Sequence, residues 1–195
     1  MDALVAVLAV LALVVLLTVV VRARRRAMVR PGGVPPATEV LRAGLRRLAP
    51  ADRVRIRERE YAVRATIRLV EGDWSWVQHL LDDDSGAQYR LSVEDGPELE
   101  LVLWTPEPTA TVTPGAPTID SGGRRYTWVE SGQARYTATG ETELPPAGTM
   151  RYHDYEAGGG ARLSFEAYGE DGWRIAGGDL LDPADVAIRV TPDAS

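Results

Sequence analysis

Residues 53–71 read RVRIREREYAVRATIRLVE, and this stretch decides the fold. Two runs, 53–57 and 61–69, alternate apolar and polar residues, and residues 58–60 separate them. Alternation with a period of two indicates strands that bury one face. The short separation predicts a hairpin, and the sequence EGD at 71–73 predicts the next turn.

Further strands follow on short turns. WSWVQHLL (74–81) is followed by the acidic turn DDDSG (82–86), and then by YRLSVE (89–94) and LELVLW (99–104). Five or six strands joined by short turns predict an antiparallel meander, since such turns leave no room for helical crossovers. The fold class we expect is mainly β.

The β region is predicted to consist of two similar halves. The segment TPEPTATVTPGAP (105–117) contains four prolines and should be irregular. RLSVED (90–95) is echoed 72 positions later by RLSFEA (162–167), and the same offset relates Asp82 to Asp154. A true repeat predicts two meander halves packed as an antiparallel sandwich-like or barrel-like head. Chance similarity between short strands is the alternative.

The N-terminus carries a strongly apolar run. Residues 3–21 contain no charged side chain, and as a helix they would cover the roughly 30 Å hydrocarbon core of a bilayer. A cluster of arginines follows this run: Arg22, Arg24, Arg25, Arg26 and Arg30. The pattern predicts a single-pass membrane protein that contacts the lipid bilayer through residues 3–21, with its N-terminus outside and its β domain in the cytoplasm. A cleavable signal peptide and a buried helix are the alternatives.

The expected domain organisation follows from these patterns. Residues 1–26 form the transmembrane anchor with its basic stop-transfer residues, and residues 27–48 form a Pro/Gly linker with a short amphipathic helix. That helix either lies on lipid headgroups or packs its leucines on the β head. The remaining boundaries are 49–105 for the first β half, 106–117 for the connector and 118–192 for the second half.

Composition excludes several classes of function. The chain has no cysteine and two histidines, which makes a structural zinc site improbable, and it has no lysine for Schiff-base chemistry. Residues 1–68 carry a net charge of +9 (14 Arg, 5 acids), whereas residues 69–195 carry −15 (8 Arg, 23 acids). An acidic head argues against nucleic-acid binding. We predict no cofactor, no metal and no catalytic residue.

The residues from Tyr61 to Trp104, together with TMRYHDYEAGGGARLSFEAYGEDGW (149–173), resemble a bacterial family, domain of unknown function 4178, and its membrane-anchored actinobacterial members in particular. The resemblance covers most of residues 48–192. It departs from the family pattern at Ala51, where glycine is usual, and at Gln78, where glutamate is common. The resemblance implies a β-rich domain without established activity, often encoded near envelope-stress proteins of the phage-shock type.

Two functions are compatible with these patterns. The favoured one is a non-catalytic cytoplasmic module that binds a membrane-associated protein partner, and the resemblance to the family links it to envelope stress. The alternative is a small-ligand-binding or enzymatic domain that uses a cleft between the β halves. The candidate residues for ligand or partner contacts are Trp74, Trp76, His79, Tyr152 and His153. The two histidines would approach one another only if the halves pack with pseudo-twofold symmetry.

Overall fold

The computed structural model describes residues 36–96, 98–107 and 110–189. Helix α1 (Pro36–Leu45) precedes eleven strands in the described part of the chain. The strands are β1 (Arg53–Ile56), β2 (Arg59–Glu71), β3 (Trp74–Asp82), β4 (Gln88–Asp95), β5 (Leu99–Pro106), β6 (Thr118–Ser121), β7 (Arg124–Gly140), β8 (Ala147–Glu156), β9 (Ala161–Tyr168), β10 (Arg174–Leu180) and β11 (Val186–Arg189). Two short 3₁₀ turns lie at Gly158–Gly160 and Pro183–Asp185.

The strands form one antiparallel sheet that closes on itself. Their order is β11-β1-β2-β3-β4-β5-β10-β9-β8-β7-β6, and β2 also pairs with β7. In that second pairing, residues 65–70 of β2 lie opposite residues 135–140 of β7. Because β2 and β7 are distant in the strand order, their pairing closes β2, β3, β4, β5, β10, β9, β8 and β7 into a ring with an inside and an outside.

The two halves have the same topology. Strands β2 to β5 form one meander and β7 to β10 form another, and the pairings β2–β7 and β5–β10 join them. The first strand of each meander has a bulge, between Val63 and Ala65 in β2 and between Trp128 and Glu130 in β7. The offset of 72 residues that relates the two halves in sequence does not relate their strand pairings. Asp82 pairs with Gln88, which would match Asp154 with Gly160, but Asp154 pairs with Ser164.

The bulge in β2 changes which face of the strand is inside. Tyr61 and Val63 belong to a core cluster on the outside of the ring, whereas Ile67 and Leu69 belong to the cluster inside it. One inserted residue reverses the side to which later residues point. The apolar residues that alternate from residue 61 to residue 69 are therefore divided between two cores, one outside the ring and one inside it. The sequence predicted that they all lie on one buried face.

Helix α1 covers the outside of the first half. Leu45 and the following Leu48 are buried against strand residues that include Val54, Tyr61 and Leu91. This packing agrees with the alternative in which the leucines of the amphipathic helix lie on the β head.

The connector between the halves covers the outside of the second half. Val112 packs against a buried cluster that includes Tyr155 and Phe165, and the backbone N–H of Gly115 donates to the Tyr155 hydroxyl at 2.9 Å. Residues 110–117 of the proline-rich segment form no helix or strand, whereas Thr105 and Pro106 end β5. The segment is also a packing element.

The predicted transmembrane architecture needs correction. Within residues 36–96, 98–107 and 110–189, no helix is long and apolar enough to cross a membrane. Helix α1 has ten residues and rises about 15 Å, half of the roughly 30 Å that a bilayer core requires. The predicted anchor over residues 3–21 and the basic residues 22–30 lie outside the described residues. For the described residues, the fold class is therefore corrected to mainly β, with the short helix α1 before the strands, and the predictions of a single-pass membrane protein with a cytoplasmic β domain are withdrawn.

Candidate functional site

A cavity of about 240 Å³ lies inside the ring and reaches the turn between β2 and β3. We call it the acidic chamber, because six carboxylate side chains line it: Glu71, Asp73, Glu94, Glu130, Asp154 and Glu166. Its aromatic lining residues are Trp74, Trp76, Trp104 and Tyr152. The remaining lining residues are Gly72, Gln78, Ser92, Met150 and Ser164. No arginine of the described ranges is among these lining residues.

The strand periodicity explains why polar residues line the interior. In β4, Ser92 and Glu94 line the chamber, whereas the alternate residues Leu91 and Val93 are buried in the outer cluster of the first half. Successive side chains of a strand point to opposite faces. The apolar face of β4 therefore points outward to the covering helix, and its polar face points inward.

Hydroxyl groups orient two of the carboxylates. The Tyr152 hydroxyl donates to Oε2 of Glu71 at 2.6 Å, and Oγ of Ser164 donates to Oδ1 of Asp154 at 2.7 Å. Burial, together with the negative charges of Glu130 and Glu71, raises the pKa of Tyr152 far above its usual value. The phenol is therefore protonated at neutral pH and is available as a donor.

A polar network forms the floor of the acidic chamber. Glu166 is only 3% exposed and accepts hydrogen bonds from Nε2 of Gln78 at 2.7 Å and from the Tyr168 hydroxyl at 3.0 Å. It also forms an ion pair with Arg90, whose guanidinium lies 5.2 Å from the centre of the Trp104 ring. These partners compensate for the burial of the Glu166 carboxylate.

A second cavity of about 520 Å³ lies beyond this floor. Trp104 and Glu166 line both cavities, and the second one is also lined by Arg64, Arg90 and Arg174. The floor therefore separates an acidic compartment from one in which both charge signs are present.

Three of the five predicted ligand or partner residues line the acidic chamber. Trp74, Trp76 and Tyr152 come together there from β3 and β8, and the rings of Trp76 and Tyr152 meet edge to face with centres 5.8 Å apart. The chamber thus lies between the two halves.

His79 is buried outside the ring, between β3 and the end of helix α1. Its Nε2–H donates to the Leu45 carbonyl at 2.9 Å, and its Nδ1 lies 3.0 Å from Oγ1 of Thr66. Burial is the main cause that lowers the pKa of His79 to about 4. These contacts show that His79 links the end of helix α1 to the sheet.

His153 lies in the outer part of the second half and does not meet His79. Its ring packs edge-on against Trp173 at 5.2 Å between centres, and burial lowers its pKa. Trp173 belongs to the outer cluster under the connector, whereas His79 contacts helix α1. Among the residues that the structure describes, no group of three or more His, Cys, Asp or Glu side chains could hold a metal ion.

Sequence reasoning missed the carboxylates of the acidic chamber and Trp104 as a lining residue. The echoed strands carried a usable signal, since RLSVE and RLSFE each place Ser and Glu two residues apart, at Ser92 and Glu94 and at Ser164 and Glu166. All four of these residues line the chamber. A repeated polar face opposite a repeated apolar face predicts a polar interior once the sheet is known to close.

Two mycobacterial proteins that are named as uncharacterized are similar to this chain in sequence. The chain is 32% identical over 194 residues to uncharacterized protein Mb2628 of Mycobacterium bovis and to uncharacterized protein Rv2597 of Mycobacterium tuberculosis, covering 95% of this chain and 93% of each relative. None of the solved structures matches it significantly. The family described as Domain of unknown function (DUF4178) matches residues 49–183. The chain therefore belongs to the DUF4178 family.

Proposed function

We propose that this protein is a non-catalytic binding domain that holds a positively charged ligand in the acidic chamber. The observation that carries the proposal is the chamber itself, a cavity of about 240 Å³ between the two halves, with six carboxylates and four aromatic rings in its lining. Concave sites with a few convergent polar groups are the usual places where proteins bind small ligands.

The chemistry of the lining favours a cation. Carboxylates that share a partly enclosed space repel one another more strongly than they would in water, and a bound cation reduces that repulsion. The indole rings of Trp74 and Trp76 in the lining add attraction, because an ammonium or guanidinium group over an indole face gains about 0.5–2 kcal/mol. Arg90 already makes this contact with Trp104. Amines, guanidines and amidines are therefore the ligand classes that fit.

The contacts of the serines and histidines favour binding over catalysis. Oγ of Ser92 accepts a hydrogen bond from Nε1 of Trp104 at 2.8 Å, and Ser164 donates to Asp154. Both histidines lie outside the acidic chamber, so neither serine has a histidine base beside it there. Of the two functions predicted from the sequence, the ligand site between the halves gains more support than a protein-interaction surface.

A pair of probes of the same shape tests the proposal. Benzamidine is a cation at neutral pH, and benzamide is its uncharged analogue. We expect calorimetric titration of the full chain to show benzamidine binding at least about tenfold tighter than benzamide, a difference of about 1.4 kcal/mol. Equal binding of the two probes, or no binding of either, would contradict the proposal.

Variants of the lining test whether benzamidine binds in the acidic chamber. The double variant Glu94→Gln/Glu130→Gln removes two charges from the lining, and we expect it to weaken benzamidine binding by about tenfold. Glu98→Gln/Glu170→Gln is the matched control, since it also removes two charges and both residues are exposed and absent from the lining. An equal loss in the control would mean that overall charge, and not the chamber, attracts the probe.

A further inference from the structure

We infer that the natural occupant of the acidic chamber is the arginine-rich segment 22–30 of this same chain. The inference rests on the proposed function and deepens it by naming the cation as a guanidinium group carried in cis. The segment lies outside the described residues, so the argument uses its sequence, its charge and its distance along the chain from helix α1.

The charges of the segment and the acidic chamber are complementary. Residues 21–30 read VRARRRAMVR, with five arginines, and residues 3–38 contain no acid that could neutralise them. The chamber lining has six carboxylates, of which Glu166 is paired with Arg90 in the floor, and, among the described residues, no basic side chain. Guanidinium groups donate forked pairs of hydrogen bonds to carboxylates and stack on aromatic faces. The lining offers both kinds of partner.

Arg42 of helix α1 and Arg46 just after it contact residues close to the lining of the acidic chamber. Arg42 donates to the Gly96 carbonyl at 2.8 Å, and Arg46 donates to Oγ of Ser75 at 3.3 Å. Ser75 is adjacent to the lining residue Trp74, and Gly96 follows the lining residue Glu94 by two positions. The helix therefore runs along the part of the sheet where the chamber reaches the β2–β3 turn.

The remaining distance is short enough for the segment to reach the acidic chamber. Pro36 lies six residues before Arg42, which is about 9 Å along a helix axis. Arg30 lies six residues before Pro36, and six extended residues span up to roughly 20 Å. A segment tethered this closely experiences an effective concentration in the millimolar range, so even a weak affinity would keep it bound.

Disulfide trapping tests the inference directly, because the chain contains no cysteine of its own. The test variant is Arg26→Cys/Asp73→Cys, in which Asp73 is an exposed residue of the chamber lining. The matched control is Arg26→Cys/Glu143→Cys, since Glu143 is exposed and lines the second cavity. Under mild oxidation of the full chain, we expect an intramolecular disulfide in the test variant and little in the control. Equal trapping in both variants, or trapping only between copies, would overturn the inference.

Probe affinity separates failure of the inference from failure of the proposed function. The variant Arg22→Gln/Arg24→Gln/Arg25→Gln/Arg26→Gln/Arg30→Gln removes the competing cations, so we expect benzamidine to bind it about tenfold tighter than the native chain. Benzamidine binding of unchanged strength would overturn the inference and leave the proposed function standing. Absence of benzamidine binding in both proteins, with no Asp73 disulfide, would overturn both.

Discussion

The Tyr152 hydroxyl donates to the Glu71 carboxylate at 2.6 Å, and this bond links the two halves of the closed sheet across the acidic chamber. Glu71 ends β2 in the first half, and Tyr152 lies in β8 of the second. A buried phenol that donates to a charged acceptor makes one of the stronger hydrogen bonds available to a protein. The pair both fixes the shape of the chamber and orients one of its charges.

The first prediction concerns this bond. Tyr152→Phe should lower the free energy of unfolding by about 1.5–3 kcal/mol, because the Glu71 carboxylate loses its donor at a partly buried site. Urea denaturation measures the change. Tyr136→Phe is the control, since Tyr136 lies in the same inner cluster and no hydrogen bond of its hydroxyl is found among the described residues. An equal loss of unfolding free energy in both variants would show that the hydrogen bond to Glu71 adds no stability of its own.

The second prediction concerns Gly132, which faces the same pair. A Cβ atom at this position would lie 2.6 Å from Oε1 of Glu71 and 2.8 Å from the Tyr152 hydroxyl. Gly132→Ala should therefore destabilise the fold by about 1–3 kcal/mol and weaken benzamidine binding. Gly172→Ala is the matched control, because a Cβ atom there meets nothing within 4 Å. A thermal melt in which both variants unfold at the native temperature would contradict the prediction.

The third prediction is a pH dependence of stability caused by His79. Its pKa is about 4 in the folded protein and 6.5 in the reference state, because burial disfavours the imidazolium form. The unfolded chain therefore takes up the proton first. The contribution of neutral His79 is fully present above about pH 6.5 and is lost as the pH falls toward 4, a change of about 3 kcal/mol.

Denaturation of the native chain and of His79→Gln at several pH values between 4 and 7 measures this contribution. The variant should be less stable at pH 7 but should lose less stability on acidification. His153→Gln is the control for the other histidine of the chain. Parallel pH profiles for the native chain and His79→Gln would contradict the assignment.

The fourth prediction concerns the buried ion pair in the floor of the acidic chamber. Arg90→Met should destabilise the protein by about 3–5 kcal/mol, since it leaves the Glu166 charge buried without its cation. Arg90→Met/Glu166→Gln should recover part of that loss, because it also removes the charge. A double-mutant cycle by urea denaturation measures the coupling. Additive losses would show that the two side chains do not depend on one another.

The sequence predicted the strands well because alternation is a local property of the chain. Residues 74–81 and 89–94 lie within β3 and β4, and residues 110–117 of the proline-rich segment form no helix or strand. Closure of the sheet could not be predicted, since it depends on the pairing of β2 with β7, about 70 residues apart. Alternation gives the faces of a strand but not its neighbours.

The sequence indicated aromatic residues of the candidate site but not its carboxylates. Trp74, Trp76 and Tyr152 were identified as aromatic residues of a cleft between the halves, and they line the acidic chamber. The histidines were included because of their chemistry, but odd-numbered positions of β3 and β8 point away from the interior. Glu94 and Glu166 could not be recognised from the sequence, because their position inside the sheet depends on its closure, which alternation does not reveal.

The most direct test of the central claim is an NMR titration of the full chain with benzamidine, following the five indole N–H resonances. Three of the tryptophans, Trp74, Trp76 and Trp104, line the acidic chamber, whereas Trp128 and Trp173 lie in the outer cluster of the second half. We predict that benzamidine shifts the three chamber resonances and leaves the other two in place, and that benzamide shifts none at the same concentration. Shifts confined to Trp128 and Trp173, or identical shifts with both probes, would contradict a cation-binding chamber.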